Sequence, residues 1–343
     1  MHSALTGLGL TLPVLAAPMS GGPSTPELVV AAARAGSLGF LGGGYKEPDV
    51  LADQIAQVRA AGVPFGVNLF APNPVPVDPG AYEQYRRQVQ READLYEVDL
   101  SRVPVTENDD YWQEKIDLLL ADPVPVVTFT FGIPEPRVIT ALKNAGSLVG
   151  QTITSADEAQ LAAETDVDVL LVQAAAAGGH SGILTPERLP PEIPLPQLLK
   201  EVGAVTSLPL IGAGGLGTPD DVAAALGAGA IATAVGTVLL RSEESGTSAP
   251  YRAALADPAR RGTVLTRAFT GRPARGLANV FTDRYSDVAP TGYPALHHLT
   301  SPIRKAATAA GDPERINLWA GTGYRNAREE PAGSILKALA SKG

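Results

Sequence analysis

A (β/α)8 barrel of the TIM type, covered by a mainly helical lid, is the fold expected of this chain, for three reasons. Eight short apolar runs recur along the 343 residues, each followed by a glycine-rich turn and a helical pattern. Runs of roughly 4–8 apolar residues alternating with helices imply parallel strands covered by helices. Eight such units in sequence favour a closed barrel over an open doubly wound sheet.

The units read in order. "PVLAAP" (13–18) precedes "STPELVVAAARAG", and "LGFLGGG" (38–44) precedes "EPDVLADQIAQVRAAG". "PFGVNLF" (64–70) ends in a proline-rich stretch, and "VPVVTFTFG" (124–132) precedes "EPRVITALKNAG". "SLVGQTIT" (147–154) precedes "SADEAQLAAET", and "VDVLLVQ" (167–173) precedes "AAAAGGHSG". "LPLIGAGG" (208–215) precedes "TPDDVAAALGAG", and "AIATAVGT" (230–237) is the eighth run.

Helix ends are marked locally. Thr25-Pro26 and Thr218-Pro219 each place a capping hydroxyl before a proline at the first helical position. Ser155 to Glu158 reads as an S-x-x-E capping box. Gly36, Gly62, Gly146 and Gly229 fall just past helix ends, where a left-handed C-cap is wanted.

Two segments exceed a barrel connection. Residues 71–121 hold "APNPVPVDPG" and a long charged helical stretch, expected as a cap inserted after strand 3. Its carboxylates Glu92, Asp94, Glu97 and Asp99 read as a solvated helix face. Residues 241–318 follow strand 8 and read as a second, mainly helical, part of the lid. The expected division is a cofactor-binding barrel over 1–70 and 122–240, with a helical cap and substrate-binding region over 71–121 and 241–343.

Composition excludes several classes of function. Lys+Arg of 27 against Asp+Glu of 36 gives a net charge of −9, without basic blocks. Such a chain is a poor partner for nucleic acid or an anionic membrane. No apolar run reaches the ~20 residues that span a bilayer. The N-terminus lacks a basic region before its apolar residues, so it does not read as a signal peptide, and a cytoplasmic location is expected. The absence of cysteine excludes disulfides and thiolate chemistry. Four scattered histidines without HExxH spacing leave no expected metal site.

"GAGGLG" (212–217) matches G-x-G-x-x-G, but no acidic residue stands about 20 positions on to bind a ribose. In a barrel, the loops after strands 7 and 8 make a phosphate site. Gly212, Gly214, Gly215, Gly236 and Thr237 offer backbone N–H groups, a hydroxyl and a helix N-terminus there. A phosphate site in a barrel suits FMN. Met19 and Ser20 end strand 1, Asn68 ends strand 3, and Gln151 and Gln173 end strands 5 and 6. Their amides match the carbonyl and N–H edge of an isoalloxazine. Gly178 and Gly179 let the backbone approach the flavin and present His180 over it, where an imidazole can remove a carbon-bound proton. His2 is expected at a solvated terminus, and His297 and His298 in the lid.

These residues resemble the class I nitronate monooxygenases, formerly 2-nitropropane dioxygenases. The matching stretches include "LAAPMSGGPSTPELVVAAARAGSLGFLGGGY", "PFGVNLF", "AAGGHSG", "IGAGGLGTPDDVAAALGAGA", "GRPARGLAN" and "NLWAG", running from residue 16 to about 321. The resemblance implies non-covalent FMN, no metal, and oxidation of alkyl nitronates by O2 to carbonyl compounds and nitrite through a flavin semiquinone. It implies His180 as the base when the neutral nitroalkane is the substrate. It implies that Asn68, Gln173, Gly178, Gly215 and Ala234-Val235-Gly236-Thr237 bind FMN, with Met19 and Gly179 beside them. The expected partners are a small nitronate or nitroalkane and O2, and a homodimer is left open. Three positions depart from the usual family pattern: Ala176 replaces Glu, Ala234 replaces a frequent Gln, and Thr322 replaces Gln. The lid keeps Tyr293 and Lys305 but places His297 and His298 where aromatics are expected. An FMN barrel reducing quinones or enoyl-thioesters with NAD(P)H is the alternative reading, and a non-catalytic flavin- or phosphate-binding protein is a third.

Overall fold

The structure is a computed structural model that describes residues 5–342, so His2 lies outside the described residues. Eight parallel strands close the barrel. They are β1 (Val14–Ala16), β2 (Gly39–Gly42), β3 (Phe65–Ala71), β4 (Val126–Phe131), β5 (Leu148–Ile153), β6 (Val169–Gln173), β8 (Leu210–Ala213) and β9 (Ala232–Val235). Closure comes where β9 pairs with β1, Leu15 lying opposite Ala234. β7 (Gly179–His180) stands outside this ring.

Strand residues alternate between two apolar layers, as a pleat requires. Leu15, Phe40, Val126, Leu171 and Ile211 fill the barrel interior. Val14, Leu41, Val67, Val127 and Leu170 face the helices. α1 (Pro26–Arg34), α2 (Pro48–Ala60), α5 (Pro136–Asn144), α6 (Ala156–Ala163), α7 (Leu195–Gly203) and α8 (Pro219–Gly227) follow their strands. The expected caps form at Thr25 and Thr218, the latter as a full capping box with Asp221. Gly36, Gly62, Gly146 and Gly229 all carry positive φ. At Ser155 only half of the expected box forms. Its hydroxyl caps Glu158 N at 3.2 Å. The Glu158 carboxylate instead takes Thr154 N and Leu184 N, both at 2.6 Å. Glu158 is therefore an anchor for the loop that follows His180.

Two barrel helices lie inside the segments expected to form the lid. α3 (Pro79–Ala93) covers the barrel, but α4 (Trp112–Ala121) buries Ile116 and Leu119 in the barrel's own core. After β9 the chain makes a long excursion and returns as α12 (Ala332–Leu339), whose Ile335 and Leu336 join the same core against α1. The excursion holds α9 (Ala249–Ala256), α10 (Val280–Tyr285) and α11 (Ala295–Ala309). It also holds β10 (Thr263–Thr266) and β11 (Ala274–Leu277). These two strands and β7 form a small antiparallel sheet in the order β10-β11-β7, with Ala274 opposite His180.

The lid has its own core, with Tyr85, Val89, Phe269, Phe281, Tyr285 and Leu299. Glu92 corrects an expectation here. Asp94, Glu97 and Asp99 are exposed as expected, but Glu92 is fully buried. Its carboxylate takes Arg284 at 2.7 Å, Arg315 at 3.0 Å and the Tyr285 hydroxyl at 2.9 Å. It thus ties α3 to α10 and to the turn before β-bridged Trp319. No helix among the described residues is long and apolar enough to cross a membrane.

Candidate active site

The carboxyl ends of the strands open into one cavity of about 970 Å³, roofed by α11 and the loops around it. Its floor carries Met19, Asn68, Gln173, Ala234, Val235 and Gly236. Gly178, Gly179, His180, Gly215 and Thr237 line it as well, so most of the residues expected to bind flavin or act on substrate border one space. Gly212 does not, because it lies within β8, paired with Val172 and Thr233.

At one end lies a cradle of backbone N–H groups. Gly214 and Gly215 take φ of 109° and 76°, a region that L side chains rarely adopt. A Cβ on Gly215 would come within 3.2 Å of Ala176 Cβ and 3.5 Å of Thr322 Oγ1. The Gly217 and Thr218 N–H groups are spent on Asp221, at 3.0 and 2.8 Å. Among the described residues, no protein acceptor meets the N–H of Gly215, Leu216 or Gly236. N–H groups away from solvent want partners. Gly215 and Leu216 lie just before the N-terminus of α8 and Gly236 just past β9, and all three line the cavity. Thr237 Oγ1 accepts Gly321 N at 2.9 Å, which leaves the hydroxyl proton free. The donor set therefore fits a phosphate held without a basic side chain. The positions of two departures, Ala176 and Thr322, meet beside this turn, Thr322 N donating to Ala176 O at 3.0 Å.

In the middle of the cavity the strand-end amides are oriented by their neighbours. Asn68 Nδ2 donates to Thr128 Oγ1 at 3.0 Å and Thr130 Oγ1 at 3.1 Å, and its oxygen meets only the Thr130 hydroxyl, at 3.5 Å, which leaves acceptor capacity on Oδ1. Gln173 spans its own loop, donating to His180 O at 3.1 Å and accepting from Gly182 N at 2.7 Å. One of its N–H bonds remains to spend. Gln151 corrects an expectation. It sits on the outward face of β5, donates to Gly132 O at 3.1 Å and is absent from the cavity wall, which Thr152 lines in its place. Gly178 is glycine for a reason other than flavin approach. A Cβ there would lie 2.5 Å from Gly321 N, so the 319–321 segment requires it. Gly179, with φ of 79° and open space around it, faces the cavity.

His180 is held from several sides. Its backbone pairs with β11. Its Nε2 lies 2.9 Å from Thr270 Oγ1. The rings of Phe131, Tyr293 and Trp319 stand 5.7, 5.8 and 5.4 Å from it, edge-on. Phe131 takes φ of 86°, an outlier for a bulky residue, and so stores strain at the site. Burial, reinforced by the guanidiniums of Arg272 and Arg304, pushes the His180 imidazole down to about 3. It is neutral at physiological pH.

The arginines of "GRPARGLAN" clasp the His180 loop. Arg272 Nε donates to Ser181 O at 3.3 Å and Nη2 to Ile183 O, with its guanidinium 3.9 Å from the Phe131 ring centroid. Arg275 Nε donates to Ala175 O at 2.6 Å. Arg304 lines the cavity roof and donates to His297 O at 2.8 Å. Burial lowers both Arg272 and Arg304 to about 10, so both stay charged. Among the described residues neither has a carboxylate partner. Tyr45 stacks on His297 at 4.1 Å and 2°, and burial drives the imidazole well below its usual range. Tyr293, His297, His298 and Lys305 all line the cavity.

Thr270, Arg272, Arg304 and Tyr45 were not among the expected site residues. "GRPARGLAN" and "GGGY" mark the segments that hold two of them, Arg272 and Tyr45, but not their roles. No group of three His, Cys, Asp or Glu among the described residues is placed to hold a metal.

Comparison with known proteins agrees with this architecture. The family model described as nitronate monooxygenase matches residues 2–342. A probable nitronate monooxygenase of Staphylococcus aureus (strain Newman) is 34% identical over 333 residues, covering 96% of this chain and 93% of the relative. The solved structure of nitroalkane oxidase from Streptomyces ansochromogenes superposes with a TM-score of 0.93 at 44% identity, over 99% of this chain and 97% of that one. FabK from Thermotoga maritima gives a TM-score of 0.77 at 25% identity, over 100% of this chain and 96% of that one.

Proposed function

The chain belongs to the nitronate monooxygenase family, and from that premise we propose that it oxidises alkyl nitronates with O2, using FMN held in the strand-end cavity. The products are a carbonyl compound and nitrite. One observation carries the reading: a single cavity joins a backbone phosphate cradle to a neutral imidazole and two guanidiniums that lack acidic partners.

Gly215, Gly236 and Thr237 hold the phosphate through N–H and hydroxyl groups. Asn68 and Gln173 hydrogen-bond the polar edge of the ring system, and Met19, Gly178, Gly179, Ala234 and Val235 pack around it. Residues 321–323 close the cradle from above, Gly323 lying against Gly215 and Gly217, which favours a mononucleotide over an adenylate. When bound, the flavin supplies the oxidising equivalents. The barrel carries the cofactor, and the excursions of 71–111 and 241–331 form the substrate cover, with α4 and α12 returned to the barrel.

The charges favour an anionic substrate. Arg272 and Arg304, both buried, set a positive field in the partly enclosed cavity, where Coulomb attraction is stronger than in bulk water. His180 contributes as a base at one ring nitrogen when the substrate arrives as a neutral nitroalkane. It then becomes an imidazolium beside two cations with no carboxylate to offset them. The pre-formed nitronate avoids that cost and is the preferred substrate.

Anaerobic mixing tests the reading. A nitronate bleaches the bound flavin, and NADH or NADPH does not. Bleaching by NAD(P)H alone would move the chain to the reductase reading. Chromatography of the flavin released on denaturation is expected to give FMN, and FAD would remove the phosphate assignment.

A further inference from the structure

We propose that Thr270 is the positioning residue for His180: its hydroxyl holds Nε2 in the protonated form and leaves Nδ1 as the nitrogen that takes the substrate proton. The inference rests on the reading of His180 as a base. Thr270 lies in the turn between β10 and β11 and is 1% exposed. Its Oγ1 is 2.9 Å from His180 Nε2. The same oxygen donates to Arg272 O at 3.3 Å and accepts from Arg272 N at 3.4 Å.

A hydroxyl has one proton and two lone pairs. With its proton on the Arg272 carbonyl, Oγ1 has only a lone pair to offer the ring, so Nε2 carries the hydrogen. A neutral imidazole has one N–H, so Nδ1 carries the lone pair. Among the described residues Nδ1 has no hydrogen-bond partner, and His180 borders the cavity. The turn that supplies Thr270 also supplies Arg272, which grips Ser181 O and Ile183 O on the far side of His180. One turn therefore sets both the place and the tautomer of the ring.

The step balances. The substrate α-C–H bond breaks and its electron pair stays on the substrate as nitronate. The proton forms a new bond to Nδ1, and Nε2–H stays donated to Thr270 Oγ1. Nothing is oxidised or reduced in this transfer.

The holoenzyme labelled with 15N-histidine gives a small spectrum, because the chain has four histidines. The His180 signals are identified by their loss in His180→Asn. The expected wild-type and Thr270→Ser spectra show Nε2 protonated and Nδ1 bare. Thr270→Val is expected to mix the tautomers. It is also expected to lower kcat for a nitroalkane on the order of tenfold, part of the general-base contribution. KM, nitronate turnover and flavin content are expected to hold, Thr270→Ser to restore kcat, and Thr270→Val to add no loss in a His180→Asn background. A wild-type spectrum with Nδ1 protonated would overturn the inference, and it decides the matter even where Thr270→Val does not fold. So would equal losses on both substrates, or a Thr270→Val loss that persists without His180. If His180→Asn lowers nitroalkane turnover and Thr270→Val does not, this inference alone falls. If His180→Asn leaves nitroalkane turnover intact, the base assignment fails and this inference fails with it.

Discussion

On the proposed reading His180 meets its substrate uncharged, and the nitroalkane and the nitronate differ by one proton. General-base assistance contributes about 10²–10⁴-fold, so His180→Asn is expected to lower nitroalkane kcat/KM by that order. Turnover of the pre-formed nitronate, normalised to bound flavin, is expected to fall much less. Equal losses would return His180 to a flavin-holding role. Arg304 offers the complementary test. Charge-assisted hydrogen bonds contribute about 1.5–3 kcal/mol, so Arg304→Met is expected to raise the nitronate KM roughly tenfold or more, while binding of a neutral nitroalkane changes little. Steady-state kinetics on both substrates would show it, and an unchanged nitronate KM would remove Arg304 from anion binding. The buried imidazoles also couple stability to pH. His180 and His297 both titrate below their ordinary value in the folded chain because burial disfavours the charged form. The unfolded chain binds the protons first, so stability is present above about 6.5 and falls as pH drops toward the folded values. His297→Phe keeps a ring against Tyr45 and removes one titrating group. Its Tm is expected to decline less between pH 7 and 5 than that of the wild type, and parallel declines would count against a neutral His297.

At the scale of elements, the turn after β8 and helix α3 carry opposite kinds of constraint. Gly215 is set by its backbone conformation and, on the proposed reading, by the space a phosphate needs. Gly215→Val places a branched side chain at φ of 76° and into the cradle, so the purified variant is expected to be colourless. Full flavin content would show that the phosphate lies elsewhere. Glu92 on α3 is set by electrostatics. Removing one partner of a buried ion pair costs about 3–5 kcal/mol, and the half-exposed Arg284 places Glu92→Ala near the lower figure. Urea unfolding is expected to show that loss without a change in released flavin type. A stability within error of the wild type would mean that the arginines resolvate freely. The charged pattern of α3 made Glu92 look like its exposed neighbours, because amphipathic spacing cannot say what a lid helix meets on its other side.

Over the whole molecule, the barrel was legible because its signals are local. A short apolar run, a glycine turn and a capping hydroxyl lie within a few residues of each other, and each constrains its own backbone whatever the rest does. Such signals determined the eight strands, the glycine loops after β8 and β9, and the strand-end places of Asn68, Gln173 and His180. Parallel topology then obliges those strand ends to share one face, which is why the flavin-binding candidates converge. The tertiary structure alone decided contacts between distant segments. Thr270 and His180 are 90 residues apart, and their hydrogen bond exists because β11 pairs with β7. Tyr45 meets His297 because α11 crosses the barrel mouth. Gln151 turns outward because the register of β5 in the closed barrel puts Thr152 inward. The eighth barrel helix, α12, waits until the chain returns from the lid. No local propensity encodes these facts, since each depends on burial and pairing that only the assembled barrel and lid supply together.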